Sequence, residues 1–146
     1  MTDIATLESS HLELPAGALK DLRAEVRGAV LEPADPGQSE VRAVFNGMYD
    51  RRPALIARCE GVADVIAAVN FARDNGLELS IRNGGHSGPG FGTNDAGLVI
   101  DMTPMRTVHV DPRNKTARAG AGATLGDFNH ATHAFGLATT GGIIST

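Results

Sequence analysis

The chain has 146 residues, 42% hydrophobic and 21% charged, with net charge −4 and mean hydropathy −0.08; this suits one globular domain burying roughly 70% of its unfolded surface. An acidic balance with no basic run excludes a nucleic-acid partner; with no stretch of roughly 20 apolar residues and no apolar run in the acidic segment 1–8, no membrane association and a cytoplasmic location are expected. Cys59 is the only cysteine, which excludes an internal disulfide and a cysteine-based zinc site.

Residues 1–15 carry no sustained periodicity and read as a loosely held arm. From Ala16 to Val30, Leu19, Leu22, Val26 and Val30 share one stripe, which predicts an amphipathic helix ended by Pro33, Pro36 and Gly37. Residues 40–45 fit a short helix or a turn. Leu55 to Arg58 reads as a strand. Val62, Val65, Ile66, Val69 and Ala72 then recur at helical spacing, with Asp64 near the start and Asn75-Gly76 as a stop. Strands are predicted at 78–82, 97–101, 107–111 and 115–119, with Asp111-Pro112-Arg113-Asn114 as the turn between the last two. A final helix starts at Thr124, with Asp127 placed for a capping box, and stops at Gly136. Its buried stripe would be Leu125, Phe128, Ala131 and Phe135. A strand–helix–strand opening followed by an antiparallel part is an α+β layout. The division is an N-terminal arm and helix over 1–45 and the main domain over 46–146.

Eighteen glycines are the compositional excess. They cluster at 84–97, 120–126 and 136–142, which suits loops that approach a ligand closely. The richest of these follows Leu77, Leu79 and Ile81, whose alternation with polar residues marks a strand. At Gly84-Gly85 that strand must turn. Glycine tolerates positive φ, so consecutive N–H groups can converge on an anion. Arg82 brings a cation to the same place and His86 a nucleophilic imidazole. Two readings stand: a pyrophosphate-cradling loop that presents a histidine to a cofactor, or a tight surface turn with a solvated histidine.

Competing motifs fit less well. Gly120-Ala121-Gly122-Ala123-Thr124-Leu125-Gly126 invites a Rossmann reading, but Leu125 stands where the third glycine belongs. The strand before it, Lys115 to Ala119, lacks the apolar run of a central parallel strand. Gly85-His86-Ser87-Gly88-Pro89 approaches a nucleophile elbow, but Pro89 replaces its last glycine. Ser87 is a phosphate donor or a turn residue. His130 and His133 lie three apart without a third ligand, so no metal site is assigned. Cys59 reads as a small core residue, and no side chain stands out as a catalytic base.

The ordered set of segments Asn46–Arg58, Val62–Gly76, Arg82–Ser87, Gly97–Met102, Met105–Asp111 and Gly136–Thr146 resembles the FAD domain shared by p-cresol methylhydroxylase, vanillyl-alcohol oxidase and the berberine bridge enzyme-like oxidoreductases. The resemblance implies the first part of a p-cresol methylhydroxylase-type FAD-binding domain, a helix-flanked small sheet followed by a partial antiparallel sheet. In it, Gly97–Met102 and Met105–Asp111 would be the paired strands after the phosphate loop. It implies FAD as cofactor, its pyrophosphate held by Arg82, Asn83, Gly84, Gly85, His86 and Ser87. His86 would carry a covalent bond to the flavin 8α-methyl carbon. Thr140, Gly141, Gly142 and Ser145 would approach the cofactor's other side, and Gly122 would pack closely beside it. Some members make a second bond through a cysteine in the later loop. Ile144 aligns there and residues 139–146 hold no cysteine, so a single linkage is implied. The activity implied is transfer of a hydride from a small organic substrate to flavin, which oxygen or another acceptor reoxidises. Members of this kind continue into a substrate domain carrying the catalytic base, so the chain is expected to be an N-terminal part. The alternative is a non-catalytic flavin- or nucleotide-binding module, or an inactive fragment, needing a partner chain for the missing half.

Overall fold

A computed structural model describes residues 3–5 and 11–142. Its elements begin with strands β1 (Asp3–Ala5) and β2 (His11–Glu13), helix α1 (Ala18–Glu25), strand β3 (Val30–Leu31) and helix α2 (Gln38–Arg42). Strand β4 (Leu55–Arg58), helix α3 (Val62–Asp74), strand β5 (Leu79–Arg82) and strand β6 (Leu98–Asp101) follow. The rest is a hairpin, β7 (Val108–Asp111) and β8 (Thr116–Ala119), and helix α4 (Leu125–His133). Two compact units divide the chain, Met1–Met102 and Thr103–Thr146.

In the first unit the core is a four-stranded sheet in the order β3-β4-β6-β5, with β4, β6 and β5 parallel and β3 antiparallel to β4. Leu98, Val99 and Ile100 are an unbroken apolar run, as a strand covered on both faces requires, and all three are fully buried. That run decides the topology. β6 inserts between β4 and β5, whereas the resemblance paired it with the segment that follows. That following segment, β7, pairs instead with β8.

The helix predicted over 16–30 is shorter. α1 stops at Glu25, Val26 is extended, and Val30 enters the sheet opposite Ala57. The break is imposed from a distance. The N–H groups of Arg27 and Gly28 donate to the Asp64 carboxylate at 3.0 and 3.3 Å. A Cβ on Gly28 would stand 1.8 Å from the Arg58 carbonyl oxygen, so only glycine fits beside β4. Leu22 and Val26 are buried, and α1 packs on α3. The segment 40–45 is the end of the short α2, which leaves the helix at Ala43. Within the segment read as an arm, β1 and β2 pair antiparallel, Asp3 opposite Glu13.

Helix α3 forms where predicted but turns a different face inward. Its buried residues are Asp64, Ala67, Ala68 and Ala72, while Val62, Ile66 and Val69 are exposed. Small side chains let the helix backbone lie close to the sheet, so the alanines face in. Asp64 also closes the helix start, accepting the Glu60 N–H at 2.8 Å.

In the second unit β7 and β8 form an antiparallel hairpin, Val108 opposite Ala119. The predicted turn is present: Asp111 Oδ1 accepts the N–H groups of Arg113 and Asn114 at 3.0 and 3.1 Å. β8 is exposed along its length. Thr124 caps α4, and the Thr124–Asp127 capping box is formed in both directions. Thr132 is the buried residue of α4, and Phe135, placed on the buried stripe by periodicity, lies beyond the helix end and is half exposed. No helix among the described residues is long and apolar enough to cross a membrane.

Candidate functional site: the glycine loop after β5

Parallel strands deliver their C-terminal ends to one edge, where ligands bind in open α/β sheets. β4, β5 and β6 end there in register, with Arg58 and Arg82 each opposite Asp101. The loop Asn83-Gly84-Gly85-His86-Ser87 leaves from this edge. Gly84 and Gly85 both adopt left-handed backbone, φ +70 and +72. Two consecutive residues in that region make a tight turn that a side chain at either position would strain. Among the described residues the Gly84 and Gly85 N–H groups have no acceptor. The loop is thus a tight glycine turn at a strand end, with two backbone donors that no described residue accepts.

His86 is exposed, and its imidazole lies over Gly84, where a Cβ would meet Cδ2 at 3.1 Å. The Phe45 ring stands 5.9 Å from the imidazole, tilted by 46°. Ser87 Oγ accepts the Phe91 N–H at 3.1 Å, and the Ser87 carbonyl accepts the Gly90 N–H at 3.1 Å. Its hydroxyl therefore shapes the next turn. Asn46 Nδ2 donates to the Gly88 carbonyl at 2.8 Å. Gly90 is required by its surroundings: φ is +75, and a Cβ would stand 2.5 Å from the Tyr49 ring.

Arg82 is turned inward rather than toward the loop's outer face. Its Nη1 donates to Asp101 Oδ1 at 3.1 Å, and its Nη2 donates to the Ala43 carbonyl at 3.1 Å. Asp101 and Phe45 were not singled out in the sequence. The one available signal for Asp101 was a carboxylate closing an otherwise apolar strand. Phe45 gave none, because its neighbourhood is set by the fold.

The other sequence-predicted positions belong to the second unit. Gly122 is buried and its N–H donates to the Met105 carbonyl at 3.0 Å. Gly141 and Gly142 lie against Leu125, where added Cβ atoms would meet its methyls at 3.2 and 3.5 Å. Thr140 is exposed. Ser145 lies outside the described residues, as does Ile144.

Residues 53–146 match the family described as FAD binding domain. (R)-6-hydroxynicotine oxidase of Paenarthrobacter nicotinovorans is 41% identical over 118 residues, covering 81% of this chain and 26% of the relative. The crystal structure of 6-hydroxy-D-nicotine oxidase from Arthrobacter nicotinovorans superposes with a TM-score of 0.79 at 40% identity, over 82% of this chain and 26% of that one. The berberine bridge enzyme-like 1 protein of Physcomitrella patens superposes with a TM-score of 0.69 at 29% identity, over 78% of this chain and 25% of that one. The chain thus spans about a quarter of the length of the relatives it matches. The chain belongs to the FAD-binding domain family, and its relatives include 6-hydroxynicotine oxidase and berberine bridge enzyme-like proteins.

Proposed function

We propose that the loop Arg82–Ser87 holds the pyrophosphate of FAD and that His86 bonds covalently to the flavin, in a flavin-dependent oxidoreductase acting on a small organic molecule. The observation that carries this reading is the pair of consecutive left-handed glycines, Gly84 and Gly85, placed directly before an exposed histidine at the end of a parallel strand. Their N–H groups would donate to phosphate oxygens, and the Arg82–Asp101 pair would keep the strand end fixed beneath them. By the family resemblance, Thr140, Gly141, Gly142, Ser145 and Gly122 are proposed as further cofactor contacts. When bound, FAD would accept a hydride from the substrate and pass the electrons to oxygen or another acceptor.

The test is direct. The protein and its His86→Ala variant are expressed with FAD, precipitated in acid, and examined for flavin fluorescence on the denatured band. Flavin retained by the wild type and lost from the variant supports the reading. Yellow protein whose flavin is released by acid removes the linkage but keeps the binding. A colourless wild type that quenches no added FAD overturns the reading.

A further inference from the structure

Arg58, Asp101 and Arg82 close three adjacent parallel strands on one row. Asp101 sits between two cations: Oδ2 accepts Arg58 Nε at 3.3 Å and Oδ1 accepts Arg82 Nη1 at 3.1 Å. Its side chain is 1% exposed, so this carboxylate is held by its ion pairs rather than by water. The arrangement has a mechanical result. With Nη1 anchored on Asp101, Arg82 directs Nε and Nη2 at the Ala43 carbonyl, at 3.4 and 3.1 Å. One planar guanidinium thereby joins the sheet edge to residues 43–45.

That segment returns to the glycine loop. The Phe45 N–H donates to the Gly85 carbonyl at 3.0 Å. Val44 Cα lies so close to Gly85 that an added Cβ would stand 3.2 Å from it. The Phe45 ring, 76% exposed, then stands beside the His86 imidazole. A continuous set of contacts runs from a buried carboxylate through Arg82, Ala43 and Phe45 to the reactive ring.

We infer that Asp101 and Phe45 are positioning residues for His86: Asp101 acts through Arg82 and the 43–45 segment, and Phe45 holds the imidazole in the orientation that attachment needs. The inference rests on the reading of His86 as the flavin attachment point. It gives Arg82 a different part from that of a phosphate cation. Its charge serves Asp101, and the glycine amides meet the anion. Asp101→Asn keeps the shape but removes the charge that holds two guanidinium groups on one row. The hold on the Arg82 guanidinium then weakens, its grip on Ala43 loosens with it, and the Phe45 ring loses its fixed place.

The test reads the imidazole first and the flavin second. In protein without added FAD, NMR follows the His86 ring-proton shifts, which carry the ring current of Phe45, and hydrogen exchange of the Phe45 amide. Asp101→Asn is expected to move the His86 shifts in the same direction as Phe45→Ala and to speed Phe45 exchange at least about tenfold, with β4 and β6 amides still protected. At saturating FAD both variants should attach flavin at least about tenfold more slowly than wild type while binding it non-covalently. Should Asp101→Asn not fold, Arg82→Lys keeps a cation for Asp101 but cannot also span to Ala43, and it should show the same changes. Folded Asp101→Asn or Arg82→Lys protein with unmoved His86 shifts and unchanged Phe45 exchange overturns the role of Asp101. Unaltered attachment in Phe45→Ala overturns that of Phe45. A wild type that attaches no flavin overturns the attachment reading instead, and the shifts and exchange still decide whether Asp101 orients the imidazole.

Discussion

The Asp64 carboxylate accepts the Gly28 backbone N–H at 3.3 Å across a separation of 36 residues. The same carboxylate takes the Arg27 and Glu60 N–H groups at 3.0 and 2.8 Å. One side chain in the first turn of α3 thus ends the passage out of α1 and closes the loop after β4.

The pH dependence follows from that geometry. Burial acts to raise the Asp64 pKa, but the N–H groups of Arg27, Glu60, Gly28 and Gly61 outweigh it and hold the carboxyl below its ordinary 3.8. A depressed folded pKa stabilises the protein above the unfolded value, and that stability is lost as pH falls through the folded value. Asp64→Ala should cost about 1–3 kcal/mol near pH 7, because several part-buried donors lose their acceptor. Urea melts of both proteins at about pH 7 and about pH 3 check this. A difference that does not shrink in acid would contradict it.

Gly85→Ala places a methyl at φ +72 and 3.2 Å from Val44 Cα. The strain should cost about 1–2 kcal/mol and disrupt the turn, so FAD uptake should be lost along with some thermal stability. Gly88 is the control, since a Cβ there meets nothing within 4 Å and no positive φ opposes it. Equal flavin content in Gly85→Ala and Gly88→Ala would show that the left-handed turn does not matter to the cofactor.

Cys59 is fully buried. Burial, with the Asp64 and Asp101 carboxylates nearby, pushes its thiol up to about 12. Since the thiolate is the nucleophile, the native protein should not react with an aromatic disulfide reagent near pH 8, and unfolding in guanidinium should release one thiol per chain. Rapid labelling of the native protein would refute this burial.

In the second unit, Thr124→Ala removes the hydroxyl that accepts the Asp127 N–H at 3.1 Å and should destabilise α4 by about 1 kcal/mol. The Arg106 guanidinium, followed by the Thr124 N–H, holds the Asp127 carboxyl far below the usual carboxylate range. The cap should therefore survive into strong acid, and Arg106→Gln should raise the Asp127 midpoint. Carboxyl NMR titration of the two proteins measures the midpoint; coincident curves would remove Arg106 from the account.

What the sequence disclosed was mostly local. The Leu55–Arg58 strand matches its bounds, and the capping box at Thr124 and the turn at Asp111 were legible because the responsible residues are three or fewer apart. The overlong helix at 16–30 went astray because its breaker, Asp64, comes from another element. The face of α3 was misjudged for a different reason. Apolarity ranks valine and isoleucine above alanine, whereas a helix laid close on a sheet selects for small size, and Ala68 is fully buried while Ile66 is 56% exposed.

The candidate site was legible to a similar degree. The glycine pair and His86 announce themselves through residue type and spacing. Their supports do not, because Ala43, Phe45 and Asp101 meet the loop only through folding, Ala43 and Asp101 as partners of Arg82. Arg82 was noticed for its charge, but the direction of its side chain depends on a carboxylate 19 residues away.

The central place of β6 sets an order of assembly. β4 and β5 are not neighbours in the sheet, and each takes its parallel partner only from residues 98–101. A chain emerging from the ribosome can coil α3 early but must leave the two flanking strands apart until Asp101 is available. The guanidinium of Arg82 has no anchor on Asp101 before that moment. The histidine loop is therefore among the last parts of its unit to be set, and a nascent chain stalled before Leu98 should show no protection of the Phe45 amide. Setting of the histidine loop is thereby made to wait until the sheet that supports it is whole.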